Sequence, residues 1–174
     1  MTFDVNKAIE ILERTSSTLS SLLHGISNEW LRNNEGGQSW SPYEIVGHLI
    51  HGEKTDWIPR AKVILSDAAD KTFTPFDRFA QLNDDQEKSI EELLREFKEL
   101  RMENIKILKS FPINSSTLQQ KGIHPELGEA NLKQLLSTWV VHDLGHIAQI
   151  SRVMAKQYKN EVGPWQAYLG ILKK

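Results

Sequence analysis

Trp139-Val140-Val141-His142-Asp143-Leu144-Gly145-His146-Ile147-Ala148-Gln149-Ile150 is the stretch on which the fold turns. It lies inside an apolar series (Leu132, Leu135, Leu136, Trp139, Ile147, Ile150, Val153, Met154) that recurs at three- and four-residue steps and predicts one long helix. Asn131, with Gln134 three residues later, reads as a capping-box start, and Gly163-Pro164 as the stop. His142 and His146 are four residues apart, one turn along one face. At that spacing two imidazole nitrogens reach a common ion at about 2.0–2.1 Å. Their face is also that of Trp139, Ile150 and Val153, the stripe expected to point inward. Burying two imidazoles is costly unless something satisfies their nitrogens. A divalent metal does so; two satisfied core or surface histidines are the plain alternative.

A third histidine shifts the balance. In Trp40-Ser41-Pro42-Tyr43-Glu44-Ile45-Val46-Gly47-His48-Leu49, Ser41 is the N-cap of a second helix and Pro42 its first residue. Glu44 completes a capping box, and Trp40 and Ile45 are placed to form a hydrophobic staple across the cap. His48 follows one turn later on the stripe Glu44, His48, His51, Thr55, where a neighbouring helix brings it opposite the pair. Gly47 and Gly145 each precede a histidine in mid-helix, at a cost of about 1 kcal/mol relative to alanine. Close helix approach beside the ligands is the reason expected for both.

Further out, residues 4–32 carry Ile9, Leu12, Leu19, Leu22, Leu23, Ile26 and Trp30 in helix period and end at Asn33-Asn34-Glu35-Gly36-Gly37. The second helix runs past Trp57 and is kinked or shortened by Pro59. Residues 66–83 form a long connector with Phe73, Phe76 and Phe79, expected to pack on the bundle. A third helix is expected from about Asp84 to Ser110, ended by Pro112. Residues 112–130 read as irregular, and 165–172 as a short terminal helix. No segment alternates in the strand manner. The expectation is an all-α four-helix bundle, one domain over residues 1–174, in which the long connector leaves helices two and three free to run parallel.

Composition narrows the function. A net charge of −2 with scattered Lys and Arg argues against nucleic acid, which demands a basic excess. The apolar runs are too short for a membrane span, and the start of the chain, with early acidic residues, does not read as a signal peptide. With no cysteine there is no disulfide, thiolate ligand or cysteine nucleophile. A cytoplasmic protein is expected.

The two histidine-bearing segments, with Glu53 and Trp57, resemble the paired motifs of the DinB-like (YfiT-like) superfamily, in length and helix order over nearly the whole chain. That resemblance implies an up-down-down-up bundle and a three-histidine metal site falling on His48, His142 and His146. It also implies zinc, nickel or a similar divalent ion (iron, manganese and copper are the further candidates), and makes a homodimer plausible. Family members include transferases and isomerases that use bacillithiol, mycothiol or glutathione.

Three neutral imidazoles leave an ion an open position, since a closed structural site fills all four. Two enzyme readings follow for a small-molecule substrate: S-transfer with a low-molecular-weight thiol, or hydrolysis of a small amide or ester. A non-enzymatic metal-binding or stress-response module is the competing class. Glu44 is a candidate general base, though its cap role accounts for it fully. His51 is a candidate fourth ligand or a rim residue. Asp143, rotated about 100° from His142, is expected to meet solvent or a neighbouring basic residue. Glu53 is placed at the bundle edge, Trp57 in a pocket wall and Gln149 within hydrogen-bond reach of the site. His24 and His124 are assigned no chemistry.

Overall fold

The computed structural model describes residues 1–82 and 88–173. Six helices build the bundle: α1 (Val5–Leu23), α2 (Asn28–Arg32), α3 (Pro42–Thr55), α4 (Trp57–Leu65), α5 (Ile90–Ser110) and α6 (Leu132–Gln157). Each long one begins at a side-chain cap. Asp4 accepts from the Lys7 amide, while Ser41–Glu44, Ser89–Glu92 and Asn131–Gln134 are complete capping boxes.

The first predicted helix is two. Gly25 has a φ of 75°, which interrupts the run after Leu23 and lets the chain re-form a turn as α2. The second is also divided, at Asp56. Proline at position 59 has no N–H for the Thr55 carbonyl, so the helix breaks there and resumes as α4. For the third helix the expected start at Asp84 lies outside the described residues; its helical turns run from Ile90 behind the Ser89 cap.

Contacts along the helices fix their directions. Thr15 meets Asp143 and Trp30 meets Gln157, so α1 and α6 run parallel. Leu12 meets Arg101 and Gly25 meets Glu91, so α1 and α5 are antiparallel. Tyr43 meets the Lys88 carbonyl and Glu53 meets Arg101, so α3 and α5 are parallel. His48 meets His142 and Glu53 meets Trp139, so α3 and α6 are antiparallel. The result is the up-down-down-up order.

Residues 112–130 are not all irregular. Lys121–His124 (β1) and Gly128–Asn131 (β2) pair as an antiparallel hairpin. Both strands are four residues long and only Ile123 is β-branched, so no alternation marks them. The connector supplies the missing order: the Phe73 amide donates to the Ile123 carbonyl, and the Ile123 amide to the Lys71 carbonyl. The expected terminal helix is instead two 3-10 turns, Gly163–Ala167 and Gly170–Leu172.

The core is divided in two. One apolar cluster contains Leu19, Leu23, Ile45, Leu49, Phe97 and Ile150; the other contains Leu12, Trp57, Ile64, Leu108, Leu136 and Trp139. Between them each long helix places a buried polar side chain at the same level: Thr15 on α1, Glu53 on α3, Arg101 and Asn104 on α5, Asp143 on α6. Arg101 donates to both oxygens of Asp143 (2.6 and 3.1 Å), to Glu53 (2.8 Å) and to the Leu12 carbonyl (2.8 Å). Thr15 donates to Asp143 at 2.6 Å, Asn104 to Glu53, and Trp139 Nε1 to Glu53 at 3.2 Å. Burial pulls the Arg101 pKa down, but Glu53 and Asp143 more than offset it, so the guanidinium stays charged.

One expectation is therefore corrected, and the alternatives left open for a second are decided. Glu53 is 2% exposed, not at an edge. Asp143 is fully buried; its partner is the basic residue Arg101, not solvent.

Candidate metal centre

His48 comes from the middle of α3, and His142 and His146 from the middle of α6, where the two helices cross antiparallel beside the polar layer. On α6 the centre of the inward stripe is Trp139, Asp143 and Ile150; the two histidines flank it, half-buried. They were expected on the stripe itself. Asp143, drawn inward by Arg101, takes the centre of the stripe in their place.

All three rings present Nε2 to one point. His48 Nε2 lies 3.2 Å from His142 Nε2, and His146 Nε2 lies 3.1 Å from His142 Nε2. Four nitrogens placed tetrahedrally at 2.0–2.1 Å around an ion are about 3.3–3.4 Å apart. These two spacings come within a few tenths of an ångström of that figure, and all three ligating nitrogens lie within 4.8 Å of one another. Gln149 Oε1 is 2.8 Å from His146 Nδ1. An amide oxygen only accepts, so the proton of His146 sits on Nδ1 and its Nε2 lone pair faces the common point. Among the described residues no partner engages His142 Nδ1.

Electrostatics keep the rings in the ligating form. Burial, with the charges of His146, His51 and Arg78, pushes the His48 pKa down to about 3. Burial, with His146, His48 and Arg101, does the same for His142, also to about 3. Burial lowers His146 too, against the opposing pull of Gln149 and Asp143. Neutral imidazoles with lone pairs converging at this distance repel unless a cation lies between them. The residues present fit a single divalent ion, and among the described residues no other His, Cys, Asp or Glu joins the cluster.

A consequence concerns the metal-free protein. His48 and His142 have folded pKa values far below the ordinary 6.5, so the unfolded chain binds more protons between pH 6.5 and 3. Their contribution to stability is complete above pH 6.5 and is lost as pH falls through that window. Asp56, raised by burial to about 6, acts in the opposite direction as one group against two. Chelator-treated protein should melt lower at pH 5 than at pH 7, and a His48→Asn/His142→Asn protein should show a flatter profile. Equal slopes for the two proteins would contradict the buried neutral imidazoles.

The three histidines form part of the wall of a cavity of about 520 Å³. Trp40, Trp57, Phe73 and Phe76 supply its aromatic surface, and Asp56, Arg60, Arg78, His124 and Glu126 its charged and polar groups. Trp57, expected in a pocket wall, is there; it stacks on Trp139 and meets His142 edge-on. Trp40 serves twice, as the helix staple and as a ring 4.8 Å from that of His48.

Glu44 accepts from the Ser41 amide at 2.7 Å, completing the cap, and is not among the cavity-lining residues. His51 packs on Phe76 outside the triad. His24 is exposed. His124, assigned no chemistry from sequence, stands in the cavity wall. Gly47 is closely approached, a Cβ there meeting Gln81 at 3.2 Å, so its neighbour is a 3-10 turn of the connector and not another helix of the bundle. At Gly145 nothing lies within 4 Å, and the glycine is simply tolerated.

The sequence profile of the DinB superfamily matches residues 11–150 of the chain. Among solved structures, YfiT from Bacillus subtilis, described as a probable metal-dependent hydrolase with an unusual four-helix bundle topology, aligns with a TM-score of 0.70 at 18% identity, over 91% of this chain and 87% of its own. TT2238, described as a four-helix bundle protein, aligns with a TM-score of 0.55 at 22% identity, over 84% and 97%. No curated protein matches. At these identities the two structures bear on the fold alone. Among the described residues no helix is long and apolar enough to cross a membrane.

Proposed function

Because this chain belongs to the DinB superfamily, we propose that it is a divalent-metal-dependent enzyme acting on a small molecule held beside His48, His142 and His146. The observation that carries the reading is that the three Nε2 atoms meet at the wall of a roomy cavity. A purely structural ion is usually sealed by a fourth protein ligand. Zinc and nickel, the ions we favour, are among those that imidazole donors suit. An ion held there supplies Lewis acidity at an open position, where an acidic ligand ionises near neutral pH.

The chain's own residues do the rest. Gln149 fixes the His146 tautomer, and the aromatic wall excludes water and holds the apolar part of a substrate. Asp56, a cavity-lining carboxyl raised to about 6, takes up and returns a proton near neutral pH. We favour hydrolysis of a small amide or ester, the activity class in the description of YfiT. Transfer to a low-molecular-weight thiol is the second reading; a chain without cysteine leaves that thiol to a co-substrate.

The test uses protein loaded with cobalt(II), whose visible spectrum reports coordination, and with zinc for turnover. Azide or a small thiol should change the cobalt spectrum. Chromogenic esters and anilides should turn over in proportion to bound metal, without thiol for hydrolysis and only with thiol for transfer. A spectrum that neither azide nor thiols perturb means no open position, and the enzyme reading then gives way to a structural or sensory ion.

A further inference from the structure

The cavity has a second polar region, where α4 meets the hairpin. Arg60 is 9% exposed, pairs through Nε with Asp56, and holds its Cζ 5.3 Å from the Phe73 ring centre. Its terminal nitrogens have no protein partner among the described residues, yet Arg60 lines the cavity. Those terminal nitrogens are not among the fully buried atoms, so they stand open to the cavity, where a ligand or water can satisfy them.

His124 stands beside it. Its Nδ1 accepts from the amides of Glu126 (3.1 Å) and Leu127 (3.2 Å), which places the ring proton on Nε2. Burial and the neighbouring Arg60 charge hold the ring below its ordinary pKa, so it is a neutral N–H donor. Two elements thus direct unused donors into one cavity. The acids nearby are Asp56, occupied on the Nε side of Arg60, and Glu126 on the exposed hairpin turn. Arg78, a lining cation with no carboxylate partner among the described residues, balances Glu126.

We propose that Arg60 and His124 bind the carboxylate of the small molecule whose other end is engaged at the three imidazoles. One guanidinium offset by Asp56, plus one neutral N–H, matches a monoanion better than a dianionic phosphate. This inference rests on the function proposed above, and names its substrate class: small carboxylic acids with an apolar body and a second, metal-seeking group.

The test titrates the zinc-loaded full chain calorimetrically with 3-mercaptopropionate, its uncharged amide and 2-mercaptoethylphosphonate. The acid should bind about 10- to 100-fold tighter than the amide, the range for a hydrogen-bonded charge, and no weaker than the phosphonate. Arg60→Gln should bring the acid to the level of the amide while leaving the amide and the zinc content unchanged; His124→Phe should act in the same sense. Equal binding of acid and amide by the wild type, or equal loss of both in Arg60→Gln, overturns the proposal. If Arg60→Gln does not fold, Asp56→Asn/Arg60→Gln removes both charges together and replaces it.

Metal-free protein titrated with 3-phenylpropionate and 3-phenylpropionamide, followed by tryptophan fluorescence, separates the two readings. A protein that takes up no metal but keeps the Arg60-dependent acid preference retains the carboxylate site and loses the proposed enzyme. One that binds metal without that preference does the reverse.

Discussion

Arg101→Met should lower the stability of the protein by about 3–5 kcal/mol, the cost of breaking a buried ion pair by removing one partner. For a chain of this length that is a fall in Tm of about 6–20 °C. The cause is not lost packing, since methionine fills much of the same volume between Phe97 and Trp139. It is that Glu53 and Asp143, 2% and 0% exposed, are left facing each other with no cation. Thr15, Asn104 and Trp139 still donate to them, but three neutral donors do not replace a guanidinium that reaches both. Removing all the charges together, in Glu53→Gln/Arg101→Met/Asp143→Asn, should recover most of the loss. Denaturant unfolding of the single and triple variants measures both. A single variant within 1 kcal/mol of wild type would mean that the polar layer is hydrated and not sealed.

The second large effect is on metal affinity. A four-ligand structural zinc site is worth about 10–16 kcal/mol, so one imidazole contributes about 3–4 kcal/mol, or about 10²–10³-fold in affinity. His48→Ala, His142→Ala and His146→Ala should each lose that much, because each removes one of the three converging nitrogens. Gln149→Ala, which frees the His146 ring without deleting a ligand, should lose about 10- to 100-fold. His24→Ala and His51→Ala should bind as wild type does. Competition against a chromogenic chelator gives all six constants. Loss on His51→Ala comparable to that on His48→Ala would move the ion to a different set of rings.

Particular residues show how far the amino-acid order alone carries. The helix period and the Ser41 and Asn131 caps placed α3 and α6, and those two helices bring the histidines together. The Ser89–Glu92 box, which starts α5, has the same pattern, but the polar residues before it also favour helix, so the residues alone extend the start toward Asp84. The hairpin left no trace, since a four-residue strand stabilised by a connector fifty positions earlier has no local signature.

The polar layer did leave one. In each long helix the apolar stripe skips a turn, at Thr15, Glu53, Arg101–Asn104 and Asp143, and the four gaps fall at one height of the bundle. Taken singly, each gap reads as a solvent-facing position, because a single charged side chain is rarely buried. Only the knowledge that the gaps are level turns four exposed positions into one buried network. Arg60 and His124 were invisible for the complementary reason: the cavity they line is closed by segments far apart in sequence.

Everything proposed for function rests on α3 and α6 delivering one, two and not more imidazoles to a single ion that stays open on its fourth side. X-ray absorption at the zinc edge of the stoichiometrically loaded protein measures this directly. Three imidazole nitrogens at about 2.0–2.1 Å and one non-protein ligand that azide or a thiol exchanges are the expected result. Four fixed protein ligands, fewer than three imidazoles, or no uptake of zinc at all would contradict it.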